Sequence, residues 1–240
     1  MSIELIHGDC MDYMRSLPDN AFELAIVDPP YGLSEHGGKS RTKAVLQKDG
    51  SRLVVRDGGY EKKEWDKMPP SSDYFTELAR VSKNQIVWGA NYYPGMQAAG
   101  AIIWDKVNDG SDQSDAEIAL NTLNNRVDIV RYMWRGMMQG ESIHHGTRQQ
   151  GNKKLNEKRI HPTQKPVKLY EWLLSNYAKP GDRILDTHLG SGSSAIAAHY
   201  AGHDFVGIEL DEDYFKAASK RIDNETRQVD IFADHSEATE

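Results

Sequence analysis

The chain has 240 residues, with 29 Lys and Arg against 36 Asp and Glu for a formal net charge of -7, and one cysteine, Cys10. A lone cysteine excludes an internal disulfide and a multi-cysteine zinc site, and no metal site is expected. No apolar run reaches the roughly 18–20 residues of a membrane span, and the N-terminus lacks a basic-then-apolar leader, so a cytoplasmic protein is expected.

Residues 4–7 read as a short strand, 11–17 as a helix stopped by Pro18, and 23–27 as a strand ending at Asp28. Residues 72–81 form a helical pattern with Tyr74, Phe75, Leu78 and Val81 on one face, followed by buried strands at 85–88 and 101–104. Residues 126–134 suggest a further strand, antiparallel and near an edge. The helix at 165–178 carries Pro166 in its first turn. A final strand, glycine turn, helix, strand and helix run through 183–185, 194–200, 205–210 and 214–222, and residues 224–240 read as a frayed tail. The alternation predicts an α/β fold, a mostly parallel sheet with helices on both faces, within a single domain over 1–240.

Two long irregular segments interrupt this pattern, at 32–70 and 136–162. Segments of that length inside a compact domain usually serve function. Both are basic despite the acidic total: the first holds Lys39, Arg41 and Lys43, the second Arg148, Lys153, Lys154 and Arg159. These seven are the expected contacts to a polyanion, and the acidic excess lies elsewhere, as at Asp211–Asp213 and in the tail.

Gly190, Ser191, Gly192, Ser193, Ser194 and Ala195 satisfy the G-x-G-x-x-G/A pattern between a strand and a helix, with Glu209 ending the next strand. Gly190 permits the tight turn, Gly192 lets a ligand approach the backbone, and Glu209 can accept bonds from ribose hydroxyls. Asp186, four residues before the first glycine, is placed to bind a cationic amino group, which S-adenosylmethionine has and NAD lacks. A helix N-terminus carrying a pyrophosphate would disfavour that carboxylate.

Asp28, Pro29, Pro30 and Tyr31 form the second motif. An exocyclic amine on a nucleobase is a poor nucleophile because its lone pair is delocalised into the ring. An ionised Asp28 and the Pro29 carbonyl can accept its two N–H bonds and aim the lone pair at a methyl donor. Tyr31 offers a flat face to an extruded base.

With these motifs the chain resembles the β-class (permuted) N6-adenine DNA methyltransferases. The resemblance runs through Gly8-Asp9-Cys10, Asp28 to Tyr31, Trp88-Gly89-Ala90-Asn91-Tyr92, His161 to Pro166, and the glycine turn followed by Glu209 and Leu210. It implies a Rossmann-like methyltransferase fold, S-adenosylmethionine as cofactor and duplex DNA as partner. It further implies that Asp9 and Cys10 lie near the cofactor adenine, with Glu209 and Leu210 at the ribose. Asp186 with Gly190, Ser191, Gly192 and Ser194 would hold the methionine part, and Lys165 would close the pocket near its carboxylate. The family usually has phenylalanine where His188 stands. N4-cytosine or RNA amino-methylation uses the same chemistry, and a non-catalytic binding protein is a third reading. Asp28 favours adenine, because cytosine-directed relatives more often carry Ser there. Target sequence, pairing as a homodimer and a partner nuclease are not legible.

Overall fold

Strand β2 (Phe22–Val27) explains why the central apolar run is continuous rather than alternating. Leu24 and Ile26 enter one core with residues of three helices while Ala25 and Val27, equally buried, face the other side of the sheet. In this computed structural model the described residues are 1–33, 44–46, 52–54, 68–109, 114–135 and 137–233. The chain divides into two units, one comprising Met1–Pro29 with Pro70–Glu240 and the other Pro30–Pro69.

The larger unit begins with β1 (Ile3–His7), α1 (Cys10–Arg15) and β2. The smaller contains an antiparallel pair, β3 (Ala44–Leu46) and β4 (Arg52–Val54), and coincides closely with the insertion expected at 32–70. The larger unit resumes with α2 (Ser72–Val81), β5 (Ser82–Trp88), β6 (Gly100–Asp105), β7 (Ala116–Asn121) and β8 (Val127–Arg131). After a short hairpin of β9 (Trp134–Arg135) and β10 (Met138–Gln139) come α3 (Val167–Tyr177), β11 (Arg183–Asp186), α4 (Ser193–Ala201), β12 (Asp204–Glu209) and α5 (Glu212–Ala233).

Eight strands form one sheet in the order β1-β12-β11-β2-β5-β7-β6-β8. Every neighbouring pair is parallel except those involving β7, and β6 and β8 pair across the β6 edge in parallel. Helices α1 and α2 pack together, while α3, α4 and α5 form a second contiguous layer. Leu169 and Leu173 of α3 are fully buried, so truncating either to Ala costs about 2–5 kcal/mol.

Two expectations need correction. Strand β8 stands at the sheet edge as expected, but it is parallel; the antiparallel strand is β7, whose Ala-Glu-Ile-Ala-Leu-Asn run is rich in helix formers and lacks a strand signature. Helix α5 continues past Asn224 to Ala233, with an i,i+4 pair between Asp223 and Arg227 at 3.4 Å. Segment 137–162 is largely irregular, as expected, with β10 and a 3₁₀ turn at Lys153–Leu155 as its regular elements, but it is fastened: the Gln139 side chain accepts from Glu157 N at 2.8 Å and donates to Glu157 O at 2.9 Å.

Candidate active site

Parallel strands deliver their carboxyl ends to one edge of the sheet, where ligands bind in open α/β folds. His7 of β1 pairs with Glu209 of β12, and Leu185 of β11 with Ala25 of β2. The register therefore sets Asp9, Glu209, the glycine turn after Asp186, and Asp28 along that edge. Adjacent strands lie about 4.8 Å apart, so the glycine turn and the Asp28 turn are immediate neighbours.

The glycine turn is held from beneath. Asp186 is 1 % exposed; its Oδ1 accepts from His188 N at 3.0 Å and its Oδ2 from Ser194 Oγ at 2.6 Å. Burial, reinforced by the Asp28 and Glu209 carboxylates, pushes its pKa up to about 7 against those two bonds. Glu209 accepts from Gly190 N at 2.8 Å and Asp211 N at 2.9 Å, and burial raises its pKa. Ser191 and Ser193 hydroxyls face each other at 3.1 Å, and Arg221 of α5 donates to Ser191 O and Ser193 Oγ, both at 2.9 Å. Asp186 and Ser194 therefore brace the turn's interior.

The two glycines have different reasons. Gly190 has φ 53° and a Cβ there would find only His188 O, at 3.8 Å, so the space over the turn is open. Gly192 has φ 76° and a Cβ would strike Ile222 Cδ1 at 2.8 Å. The left-handed backbone at Gly192 and the packing of α5 against the turn both favour glycine there. Half-buried His188 occupies the phenylalanine position as a neutral ring: desolvation pushes its pKa down to about 4. It meets Tyr74 edge-on at 5.4 Å, and Thr187 Oγ1 lies 2.6 Å from Tyr74 Oη and 2.9 Å from His188 Nδ1.

Asp9 caps α1 by accepting from Met11 N at 2.7 Å. Burial, with Asp9 beside it, pushes the Cys10 thiol up to about 12, so it is no nucleophile at neutral pH. Leu210 is exposed beside Glu209, and its carbonyl lies 3.2 Å from the His7 ring nitrogen.

Asp28 and Pro29 belong to the larger unit, Pro30 and Tyr31 to the smaller. Tyr93 donates its hydroxyl to Pro29 O at 2.8 Å, leaving that carbonyl one further lone pair. Lys165, whose side chain is 4 % exposed, forms an ion pair with Asp28 and a second with Glu117 of β7 at 3.0 Å. Lys106, just past β6, pairs with the same Glu117. Burial opposes charge on Lys165, yet Asp28 and Glu117 outweigh it and raise its pKa; burial likewise opposes charge on Glu117, yet Lys165 and Lys106 lower its pKa. Lys165 thus turns its ammonium to the Asp28 carboxylate, not solely to a cofactor pocket.

Of the seven basic residues expected to grip a polyanion, Lys39, Arg41 and Lys43 lie outside the described residues. Lys153 and Lys154 are exposed on a 3₁₀ turn, and Arg148 is exposed in an ion pair with Glu141 at 3.3 Å; Lys158, not among the seven, is exposed just beyond that turn. Arg159 is less exposed than these, its side chain half-buried with the guanidinium 4.3 Å over the Trp134 ring. Glu157 fastens the same loop, accepting from Val167 N at 3.0 Å and Arg221 at 3.2 Å.

Sequence reasoning missed Glu117, Lys106, Tyr93, Glu157 and Arg221. Glu117 had a signal: a carboxylate inside an otherwise apolar run must find partners if that run is buried.

The family described as DNA methylase, grouping N6 and N4 methyltransferases, matches residues 82–220, and the chain belongs to it. That span contains Lys165, the glycine turn and Glu209. Among curated relatives, the chain is 26 % identical over 254 residues to the Type II methyltransferase M2.DpnII of Streptococcus pneumoniae, covering 92 % of this chain and 90 % of that protein. It is 26 % identical over 251 residues to M2.LlaDCHI of Lactococcus lactis subsp. cremoris, covering 91 % and 88 %. The fold is similar to that of the M1.HpyAVI–SAM complex, with a TM-score of 0.53 at 19 % identity over 92 % of this chain and all of that one.

Proposed function

We propose that this DNA methylase transfers a methyl group from S-adenosylmethionine to the exocyclic N6 amine of adenine in duplex DNA, with the base turned out of the helix. The observation that carries the reading is the adjacency of the two turns: Asp28, charge-paired by a buried lysine, sits one strand from the glycine turn.

The residues fit the cofactor. Open space lies over Gly190, Glu209 keeps unused lone pairs for ribose hydroxyls, and the raised pKa of Asp186 marks a carboxylate that a cation would relieve. Asp9, Cys10, Asp186, Gly190 and Glu209 would hold it, and when bound it supplies an electrophilic methyl on a sulfonium that leaves as a neutral thioether. Asp28 accepts one N–H of the target amine and the free lone pair of Pro29 O the other, which shifts the nitrogen toward tetrahedral geometry. The proton that the methylated nitrogen sheds passes to the Asp28 carboxylate. Tyr31 stacks on the base. The exposed lysines 153, 154 and 158 meet phosphates. A place in a restriction–modification system follows the naming of both relatives as Type II methyltransferases.

Expression in a methylation-free host, with sequencing that detects modified bases, tests this directly. N6-methyladenine in a fixed context is expected from the parent and none from Asp28→Ala, a loss of about 10²-fold or more in rate. N4-methylcytosine would overturn the choice of base, and methylation persisting in Asp28→Ala would overturn the catalytic assignment.

A further inference from the structure

Glu117 reaches the carboxyl edge of the sheet because β7 alone runs against its neighbours. Its strand begins where β5 and β6 end: Trp88 is opposite Ala119, and Trp104 opposite Glu117. The side chains that surround the charges follow from this register. Lys165 Nζ lies 5.4 Å over the Trp88 ring, Lys106 Nζ lies 5.2 Å over Trp104, and the two indoles meet edge-on at 6.3 Å. The result is an alternating row, Asp28, Lys165, Glu117, Lys106, walled by aromatic faces. The turn after Lys106 is strained as well: Val107, a β-branched residue, has φ 53° and is held by Asp105 Oδ1 accepting from Val107 N at 2.8 Å.

A buried ion pair is weak evidence for stability, since apolar residues of similar volume serve a core as well or better. A row of four charges ending on the residue that must accept an amine N–H calls for another reason. We infer that Lys165 and Glu117 are positioning residues for methyl transfer: Glu117, supported by Lys106, holds the Lys165 ammonium against Asp28. That contact keeps the Asp28 carboxylate ionised and fixes its orientation toward the target amine. Glu117 acts through Lys165 and neither needs to touch the cofactor. The inference rests on the proposed role of Asp28.

The test compares Glu117→Gln, Lys165→Met and the double variant in the full chain. Methyl transfer to duplex DNA is measured at saturating cofactor, together with S-adenosylmethionine affinity by calorimetry and DNA affinity. Each single variant is expected to lower kcat on the order of 10²-fold, as small misplacements of a reacting group do, with both affinities within a few fold. Because one residue acts through the other, the double variant is expected to be no slower than Lys165→Met alone. Multiplying losses, an unchanged kcat in Glu117→Gln, or a Lys165→Met protein that loses cofactor affinity while keeping kcat would each overturn the inference. Should a single variant fail to fold, the double, which removes one charge of each sign, carries the comparison; normal kcat there overturns it. Asp28→Ala run alongside separates the two readings, since its activity surviving would remove the proposed function itself, whereas its loss beside an unaffected Glu117→Gln removes only the positioning role.

Discussion

The two turns at neighbouring strand tips are held by different physics. The glycine turn after β11 is fixed by carboxylates that accept backbone N–H and hydroxyl donors: Asp186 from His188 N and Ser194, Glu209 from Gly190 N and Asp211 N. The Asp28 turn after β2 is fixed by a full ion pair with Lys165 and a hydroxyl from Tyr93. Burial raises the pKa of the acids at the first turn against those hydrogen bonds and suits them to a cation; at the second, the ion pair compensates the charge of its acid in advance. A site that must bind a positively charged cofactor and then poise an acceptor for a neutral amine is served by that contrast.

The largest effect should follow from breaking the first turn. Gly192→Val adds left-handed strain to a 2.8 Å clash with Ile222, together roughly 2–4 kcal/mol. Both thermal stability and cofactor binding should fall. Adding Ile222→Ala removes the clash but not the strain, so recovery of part of the melting temperature is expected; none would show that packing against α5 is irrelevant.

The acids sharpen the contrast through pH. Asp186 rises from 3.8 to about 7 on folding, so the folded chain holds that proton more tightly than the unfolded one. Its favourable contribution is complete below 3.8 and is lost as pH climbs through about 7. Thermal melts across this range should therefore show the parent losing stability relative to Asp186→Asn. In the same window S-adenosylmethionine affinity should rise with pH in the parent and stay flat in Asp186→Asn; equal slopes would mean that Asp186 only braces the turn.

A third expectation concerns the loop that approaches phosphates. Neutralising Lys153, Lys154 and Lys158 should flatten the dependence of log DNA affinity on log salt by about 0.9 for each lost phosphate contact. Arg159→Gln, which removes the charge, should leave that slope in place, because the Arg159 guanidinium is stacked on Trp134; a salt series on both proteins decides the point.

The smallest effect belongs to the second turn. Tyr93→Phe removes one hydrogen bond to Pro29 O, worth about 0.5–1.5 kcal/mol, and should slow methyl transfer about tenfold or less without weakening cofactor binding. A steady-state assay that finds altered affinity and normal kcat would place Tyr93 outside the catalytic turn's support.

Much of the cofactor side was legible because its elements are consecutive. From Arg183 to Glu209 the strand, turn, helix and strand are written in local periodicity and small residues, and the structure follows them within a residue or two. A second constraint on Gly192 was not legible, since it comes from Ile222, thirty residues on. The other half of the sheet was read less well. Strand β7 has the composition of a helix and becomes a strand only because β5 and β6 offer it edges and apolar faces. The edge strand β8, which pairs with β6, could not be oriented until β7 was inserted between β5 and β6.

Alone, the sequence established the identity of the two turns and their placement after apolar strands, because turn chemistry and hydrophobic period are local properties that survive without knowledge of the rest of the chain. Only the tertiary structure decided what stands behind Asp28. Lys165 arrives from the lead-in to α3, Glu117 from an antiparallel strand and Lys106 from the end of β6. Charges so far apart in sequence carry no mutual signal, and burial alone forces each to find its opposite once the sheet has closed around them.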